Sequence, residues 1–236
     1  MTVSPRFVAG TLLVAVPVVF MAGFTGLQMS FGYPDILRHP AGEVLTRFAA
    51  GGIDLHLYWY MMFASALALI AAAIATGLHY WERDRLVAGL SIGFGALAGL
   101  VQALGLLRWV ILVPGLAAHY VAPEATELSH AMDAAIFDFA NQYLGAGVGE
   151  HVGYLFTAVW TALVSLLLVR DHKILAVSGL AIAAGVAFGL LEAAGVGLAG
   201  AVVAVAFSLW AVWALLVGVQ VLRGDRQVIT PTMMPA

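Results

Sequence analysis

Six stretches of this chain are apolar and long enough to cross about 30 Å of hydrocarbon. Nothing else in the sequence constrains the fold as strongly. They fall at about 7–28, 54–78, 86–107, 148–169, 174–197 and 199–222. In lipid a segment must satisfy its own backbone N–H and C=O groups, so such stretches form helices. The chain is therefore read as all-α: a polytopic membrane helical bundle of six transmembrane helices, one domain over 1–236. Composition agrees, with 63% of residues hydrophobic and 10% charged, against about a quarter charged in soluble domains. A net charge of −3 with a single lysine argues against a nucleic-acid partner. The lack of cysteine excludes disulfides, thiolate metal sites and thiol nucleophiles. The first stretch sits where a secretory signal would, but no small-x-small cleavage pattern follows it, so it is read as a membrane helix.

Basic residues set the expected orientation. With the N-terminus inside, Arg6, Arg83, Arg85, Arg170, Lys173, Arg223 and Arg226 are cytoplasmic, whereas Arg38, Arg47 and Arg108 are outside. Both termini are then cytoplasmic, "HYWERDR" and "RDHK" are tight inner turns, and the long connections 29–53 and 108–147 lie outside. The second connection is expected to hold an amphipathic outer helix at about 124–143, started by Pro123, with Glu124 and Glu127 in its first turn. Leu128, Met132, Ile136, Phe139 and Tyr143 form its apolar stripe, and Glu127, His130, Asp138 and Asn141 fall near the opposite face. That pattern suits a helix lying on the membrane or capping the bundle.

An internal repeat is legible. Residues 89–105, "GLSIGFGALAGLVQALG", align without a gap on 179–195, "GLAIAAGVAFGLLEAAG", with eight of seventeen positions identical. The implied unit is a helical hairpin, 54–107 and 148–197, with both copies in the same orientation. Gly95-x-x-x-Gly99 and Gly185-x-x-x-Gly189 occupy one register and favour close helix approach. Gln102 falls opposite Glu192.

The scarce polar residues concentrate toward the outer side. At about 1.5 Å per residue, Gln102 and Glu192 lie roughly 25 Å from the inner turns. Asp54 and His56 open the second span, Glu150 and His151 open the fourth, and Arg108 and Trp109 end the third. Each has a plain reading. Carboxylates at span N-termini cap free amides, histidines sit at membrane boundaries, and Arg108 snorkels. Glu192, alone in the apolar run "GVAFGLLEAAGVG", is hardest to explain that way. Glu192, Gln102 and Arg108 are thus expected to line an outward-facing polar pocket, with Asp54, His56, Glu150 and His151 at its rim.

Signals for an enzyme are weak. One Glu-x-x-His is present, Glu127 with His130, where a di-iron bundle site needs two. HExxH is absent, as are a nucleotide-binding glycine loop and a serine-triad motif. No metal or cofactor is specified. Three readings follow. The first is a non-enzymatic bundle binding a small ligand, lipid or ion, as an accessory or regulatory subunit alongside other membrane protein subunits. The second is a proton-coupled small-molecule transporter, against which stand an inner half bare of polar groups and six unbroken spans. The third is a metal- or haem-dependent membrane enzyme using His56, His151, Glu150 and Asp54.

Three segments, "FGYPDILRHPAGEVLTRFAAGG", "LVQALGLLRW" and "GEHVGYLFTAVWT", resemble the bacterial membrane family catalogued as domain of unknown function 4386, over about residues 7–222. The resemblance implies a multi-spanning protein of the bacterial inner membrane and transfers no catalytic residue. It marks Tyr33, Pro34, Asp35, Arg108, Trp109, Glu150 and His151.

Overall fold

The computed structural model describes residues 4–224, so Arg226 lies outside the described residues. Among those residues there is no strand. Six helical stretches are long and apolar enough to cross a membrane: Pro5–Phe31, Gly52–His79, Arg85–Tyr120, Glu127–Leu168, Lys173–Ala194 and Ala199–Arg223. The protein is a multi-pass membrane bundle. Its elements are α1 (Pro5–Phe31), a 3₁₀ turn (Asp35–Arg38), α2 (Ala41–Ala50), α3 (Gly52–His79), α4 (Arg85–Leu107), a π segment (Arg108–Leu112), α5 (Val113–Tyr120), α6 (Glu127–Ala140), a second π segment (Asn141–Val152), α7 (Gly153–Leu168), α8 (Lys173–Phe188), a 3₁₀ turn (Gly189–Ala194) and α9 (Ala199–Arg223).

Short connections make chain neighbours antiparallel and adjacent. α1 packs on α3, α3 on α4, α4 on α7, α7 on α8, α8 on α9, and α9 returns to α1, so the six spans close a ring in chain order. At the end bearing the short turns, Arg6 fastens the closure by donating to the Val221 carbonyl at 2.9 Å and the Leu222 carbonyl at 2.6 Å. A cation here also suits the carbonyl end of α9.

Without a hydrophobic force between helices in lipid, close packing must hold the ring. Buried alanines from α1, α3, α4, α7, α8 and α9, together with Trp160, Trp210 and Trp213, fill its middle. Glycines set the spacing. A Cβ on Gly95 would lie 2.4 Å from that of Ala73, and one on Gly99 2.7 Å from the Ala66 carbonyl. The corresponding Gly185 and Gly189 meet Ala206 and Val203 at 3.0 and 2.8 Å. Both glycine pairs are points of close approach, but the first pair faces α3 and the second faces α9.

The bundle interior carries more polarity than a count of charges foresees. Thr157, Thr161 and Ser165 are fully buried on one face of α7, and Thr76 and Ser91 are fully buried toward the short-turn end. Each of Thr161, Ser165, Thr76 and Ser91 donates to a carbonyl of its own helix at 2.7–2.8 Å. This is how a hydroxyl is carried in an apolar helix. Thr161 also accepts from Trp210 Nε1 at 3.0 Å.

At the opposite end the structure departs most from the sequence reading. The third span does not stop at Leu107, and the fourth does not begin near Val148. Helix continues through the π segments to Tyr120 and from Glu127, so the expected outer connection 108–147 is largely helical, with only 121–126 non-helical at its tip. The reason is local. "VILVPGLAAHY" is apolar and helix-compatible, and Pro114 falls in the first turn of α5, where its missing N–H is tolerated. α6 starts at Thr126, not at Pro123. The Thr126 and Ser129 side chains cap each other's backbone N–H groups at 3.2 and 2.8 Å.

The amphipathic outer helix is α6, and the face it lays on the protein is mixed: Asp133, Phe137 and Ala140 are buried, whereas Glu127 and Asp138 are exposed. Asp133 is buried and its Oδ2 accepts from His119 Nδ1–H at 2.7 Å, and His130 Nε2 donates to the Tyr120 carbonyl at 2.9 Å. Leu128, Met132, Ile136, Phe139 and Tyr143 all face outward. Replacing Asp133 with alanine removes the His119 bond, and because His119 is exposed and can turn to water the expected local cost is about 0.5–1.5 kcal/mol. The readout is faster proteolytic cutting within 121–126, with the membrane ring intact.

Beneath this helical hairpin lies a second core. Trp59 and Trp109 stack at 4.2 Å and 2°, and Phe31, Phe48 and Phe137 surround the Trp109 ring. α2 contributes Val44, Leu45 and Phe48 to it. This core is the cap of the bundle.

Candidate functional site

The site forms where the two π segments cross. A π turn widens the helix by one residue and leaves backbone groups looser than α geometry does. The second segment contains Gly145, Gly147 and Gly149, and glycine tolerates such geometry. The last turn of α4 meets this segment glycine to glycine: a Cβ on Gly105 would lie 2.6 Å from Gly149 Cα and 3.0 Å from the Leu144 carbonyl. This contact brings Arg108, the first residue of one π segment, against the other.

Arg108 is only 7% exposed. It donates through Nη1 to the Gly105 carbonyl and through Nη2 to Asn141 Oδ1 at 3.1 Å. Its Nε has no hydrogen-bond partner among the described residues. Its guanidinium lies 5.4 Å from the Trp109 ring. A Cβ on Gly145 would come within 2.5 Å of the guanidinium, so the site requires glycine there. Arg108 therefore does not snorkel; it is enclosed.

Glu150, half-buried at the far end of the second π segment, supplies the countercharge to Arg108. Its carboxylate also faces the Tyr154 phenol one turn on and the Glu192 carboxylate. Tyr33, in the connection after α1, completes the group by facing both Arg108 and Glu150. The Tyr33 ring stands edge-on to Trp59 at 5.3 Å and to Phe24 at 5.5 Å. Burial first, and then the Glu150 charge, push the Tyr33 phenol above its usual range, so it remains a proton donor at neutral pH.

The structure brings some of the expected residues together and separates others. Arg108 and Glu150 come within electrostatic reach of each other without forming a salt bridge. Gln102 lies against Gly153 but turns its amide to Thr157 Oγ1 at 3.0 Å. Glu192 sits on the exposed 3₁₀ turn Gly189–Ala194, beside Gly200, within electrostatic reach of Glu150 and Tyr154. Asp54 and His151 are exposed. His56 closes on its own helix, Nδ1 to the Gly52 carbonyl at 2.8 Å, and stands against the Phe48 ring. The fifth span is not an unbroken α-helix, since it tightens into 3₁₀ geometry at Gly189. Tyr33, Asn141 and Tyr154 join the site without having been singled out as its members. Two of them carried a signal in the sequence: Tyr33 is marked by the family resemblance, and Tyr154 stands at i,i+4 from Glu150.

Chemically, the cluster offers one buried cation, two carboxylates, two phenols and an amide. That suits recognition of a small polar group or ion. Among the described residues, no group of three or more His, Asp or Glu side chains is arranged to hold a metal ion.

No curated protein and no solved structure matches the chain. The family described as "Domain of unknown function (DUF4386)" matches over residues 8–219, which takes in the six spans, the cap and every residue of the cluster. This multi-pass membrane protein belongs to that family.

Proposed function

We propose that the protein is a non-enzymatic bundle of the bacterial cytoplasmic membrane that binds a small ligand, lipid or ion at the Arg108–Glu150 cluster, as an accessory or regulatory subunit of a membrane complex. The observation that carries this reading is the enclosed Arg108 with its free Nε, held between two π segments and opposed by Glu150. A buried charge pair is weak evidence for stability, because desolvation offsets much of the attraction. π segments recur at functional sites.

The capped end faces the periplasm in this proposal, and the termini and short turns face the cytoplasm. Supporting this, Arg6, Arg83, Arg85, Arg170, Lys173 and Arg223 all lie at the short-turn end. The natural chain has no cysteine, so single cysteines at Asp54 and at Arg85 report sidedness cleanly. Labelling of position 54 by an impermeant maleimide in intact cells, with position 85 protected, is the expected pattern.

The binding test is a thermal-stability screen of the detergent-solubilised protein against inner-membrane phospholipids, monovalent and divalent cations, and small amines. A ligand that raises the melting temperature should lose most of its effect in Glu150→Gln and part of it in Glu192→Gln. A screen in which both variants respond like the parent to every compound refutes the reading.

Proton-coupled transport is the second reading. It draws support from spans that leave α geometry, loosening into π or tightening into 3₁₀ turns beside membrane acids, as in transporters with discontinuous spans. Against it, the buried hydroxyls spend their protons on helix carbonyls, and three tryptophans occupy the ring interior. Flux into proteoliposomes separates the two readings.

A further inference from the structure

A second polar assembly lies at the short-turn end, remote from the cluster. The connections 80–84 and 169–172 enclose a cleft of about 430 Å³ lined by His79, Tyr80, Glu82, Arg83, Arg170 and Asp171. That is within the range of small-ligand sites, about 300–1,000 Å³.

Its charges are unevenly committed. Arg83 pairs with Asp171, donates to the Leu167 carbonyl at 2.7 Å, and lies over the Tyr80 ring at 5.0 Å. It thereby ties one turn to the other and neutralises Asp171. Glu82 is engaged by Arg85 at 3.1 Å. Arg170 is exposed at the mouth and has neither an ion-pair nor a hydrogen-bond partner among the described residues. Once the internal pairs are counted, the cleft therefore presents one uncommitted guanidinium, next to a half-buried imidazole, His79.

The surroundings narrow the ligand class. The cleft stands at the ends of the spans, and exposed large apolar side chains neighbour its lining residues in sequence: Leu78 is 49% exposed, Trp81 36% and Ile174 86%. Indole rings favour the headgroup layer. A guanidinium fork matches the oxygens of a phosphate better than a point charge does. A molecule that places a phosphate in the cleft and hydrocarbon along Leu78 and Ile174 satisfies both features. We propose that this cleft binds a phosphate ester, the headgroup of a membrane phospholipid, with Arg170 as its anchoring cation. The site is independent of the Arg108–Glu150 cluster, and the proposal stands whichever way the bundle is oriented.

Arginines at such a boundary also serve simply to orient a membrane protein, so the test must separate a site from diffuse charge. Native mass spectrometry of delipidated protein in detergent, titrated with phosphatidylglycerol, reads lipid binding directly. Arg170→Gln removes the anchor, and Lys173→Gln removes an equal charge three residues away that does not line the cleft. The expected result is one tightly held lipid on the parent, weakened about tenfold in Arg170→Gln, as for loss of a charge-assisted bond, and changed less than twofold in Lys173→Gln. A parallel arm with glycerol 3-phosphate and inorganic phosphate distinguishes the source. Arg170-dependent binding of the lipid alone assigns a headgroup site, whereas equal Arg170-dependent binding of the soluble esters assigns a free phosphate ester. Equal losses in the two variants, or none in Arg170→Gln, overturn the proposal. Because Arg170 is exposed, both variants are expected to melt with the parent.

Discussion

Gly105→Val is expected to be the most damaging single substitution in the chain. The new Cβ would sit 2.6 Å from Gly149 Cα and 3.0 Å from the Leu144 carbonyl, and both obstacles are backbone. A flexible side chain could turn aside, but a crossing helix cannot. The last turn of α4 and the second π segment must move apart by about an ångström, which strips packing from both and pulls Asn141 from the guanidinium. Overpacking of a filled core costs about 1–3 kcal/mol, and adding the disrupted polar group brings the expected loss to about 3–5 kcal/mol. The measurement is a thermal or SDS-titrated unfolding transition in the same detergent. Gly115→Ala is the matched control, since a Cβ at Gly115 meets nothing within 4 Å. A Gly105→Val protein that melts with the parent would show that the crossing is looser than described.

Arg108→Leu follows, for an electrostatic reason. The leucine fills part of the volume, so the principal loss is the charge. Glu150 is then left half-buried with the Glu192 carboxylate still beside it, and Asn141 Oδ1 and the Gly105 carbonyl lose their donor. Leaving a half-buried carboxylate without its nearby cation, and two acceptors without their donor, is expected to cost about 1–3 kcal/mol. The pairing can be isolated. Arg108→Leu combined with Glu150→Leu should recover much of the loss, because both charges leave together. A double variant as unstable as the sum of the two singles would mean that Arg108 and Glu150 do not act as a pair.

The six spans were legible because lipid imposes a demand that composition alone can meet, and all their ends fell within a few residues except the outer ends of the third and fourth, which run on to Tyr120 and back to Glu127. Where that demand ends, legibility ended too. Arg108 reads as a stop after "LVQALGLL", yet the helix carries it inward, because a π turn and two glycines on a partner helix make room for it. Nothing in the residues around 108 announces Gly145 or Asn141, which lie more than thirty positions on. Glu192 looked the more sheltered acid because its sequence neighbours are apolar. In the fold those neighbours belong to an exposed 3₁₀ turn, and Glu150, which reads as a helix-capping residue, is the acid that faces Arg108. The α6 stripe shows the complementary case. Its period was plain in the sequence, but which side meets protein depends on partners such as His119 and Arg108, which periodicity does not reveal.

The continuity of Glu127–Leu168, 42 residues without a break, has a mechanical corollary. The rod is pivoted at the Gly105–Gly149 contact, with an arm of about 30 Å above it at 1.5 Å per residue. A tilt of about 5° at that fulcrum displaces the tip by about 3 Å and swings the other end the opposite way, toward the turn that holds Asp171. A single piece of backbone thus joins the outermost hairpin to the turn at the opposite end of the bundle.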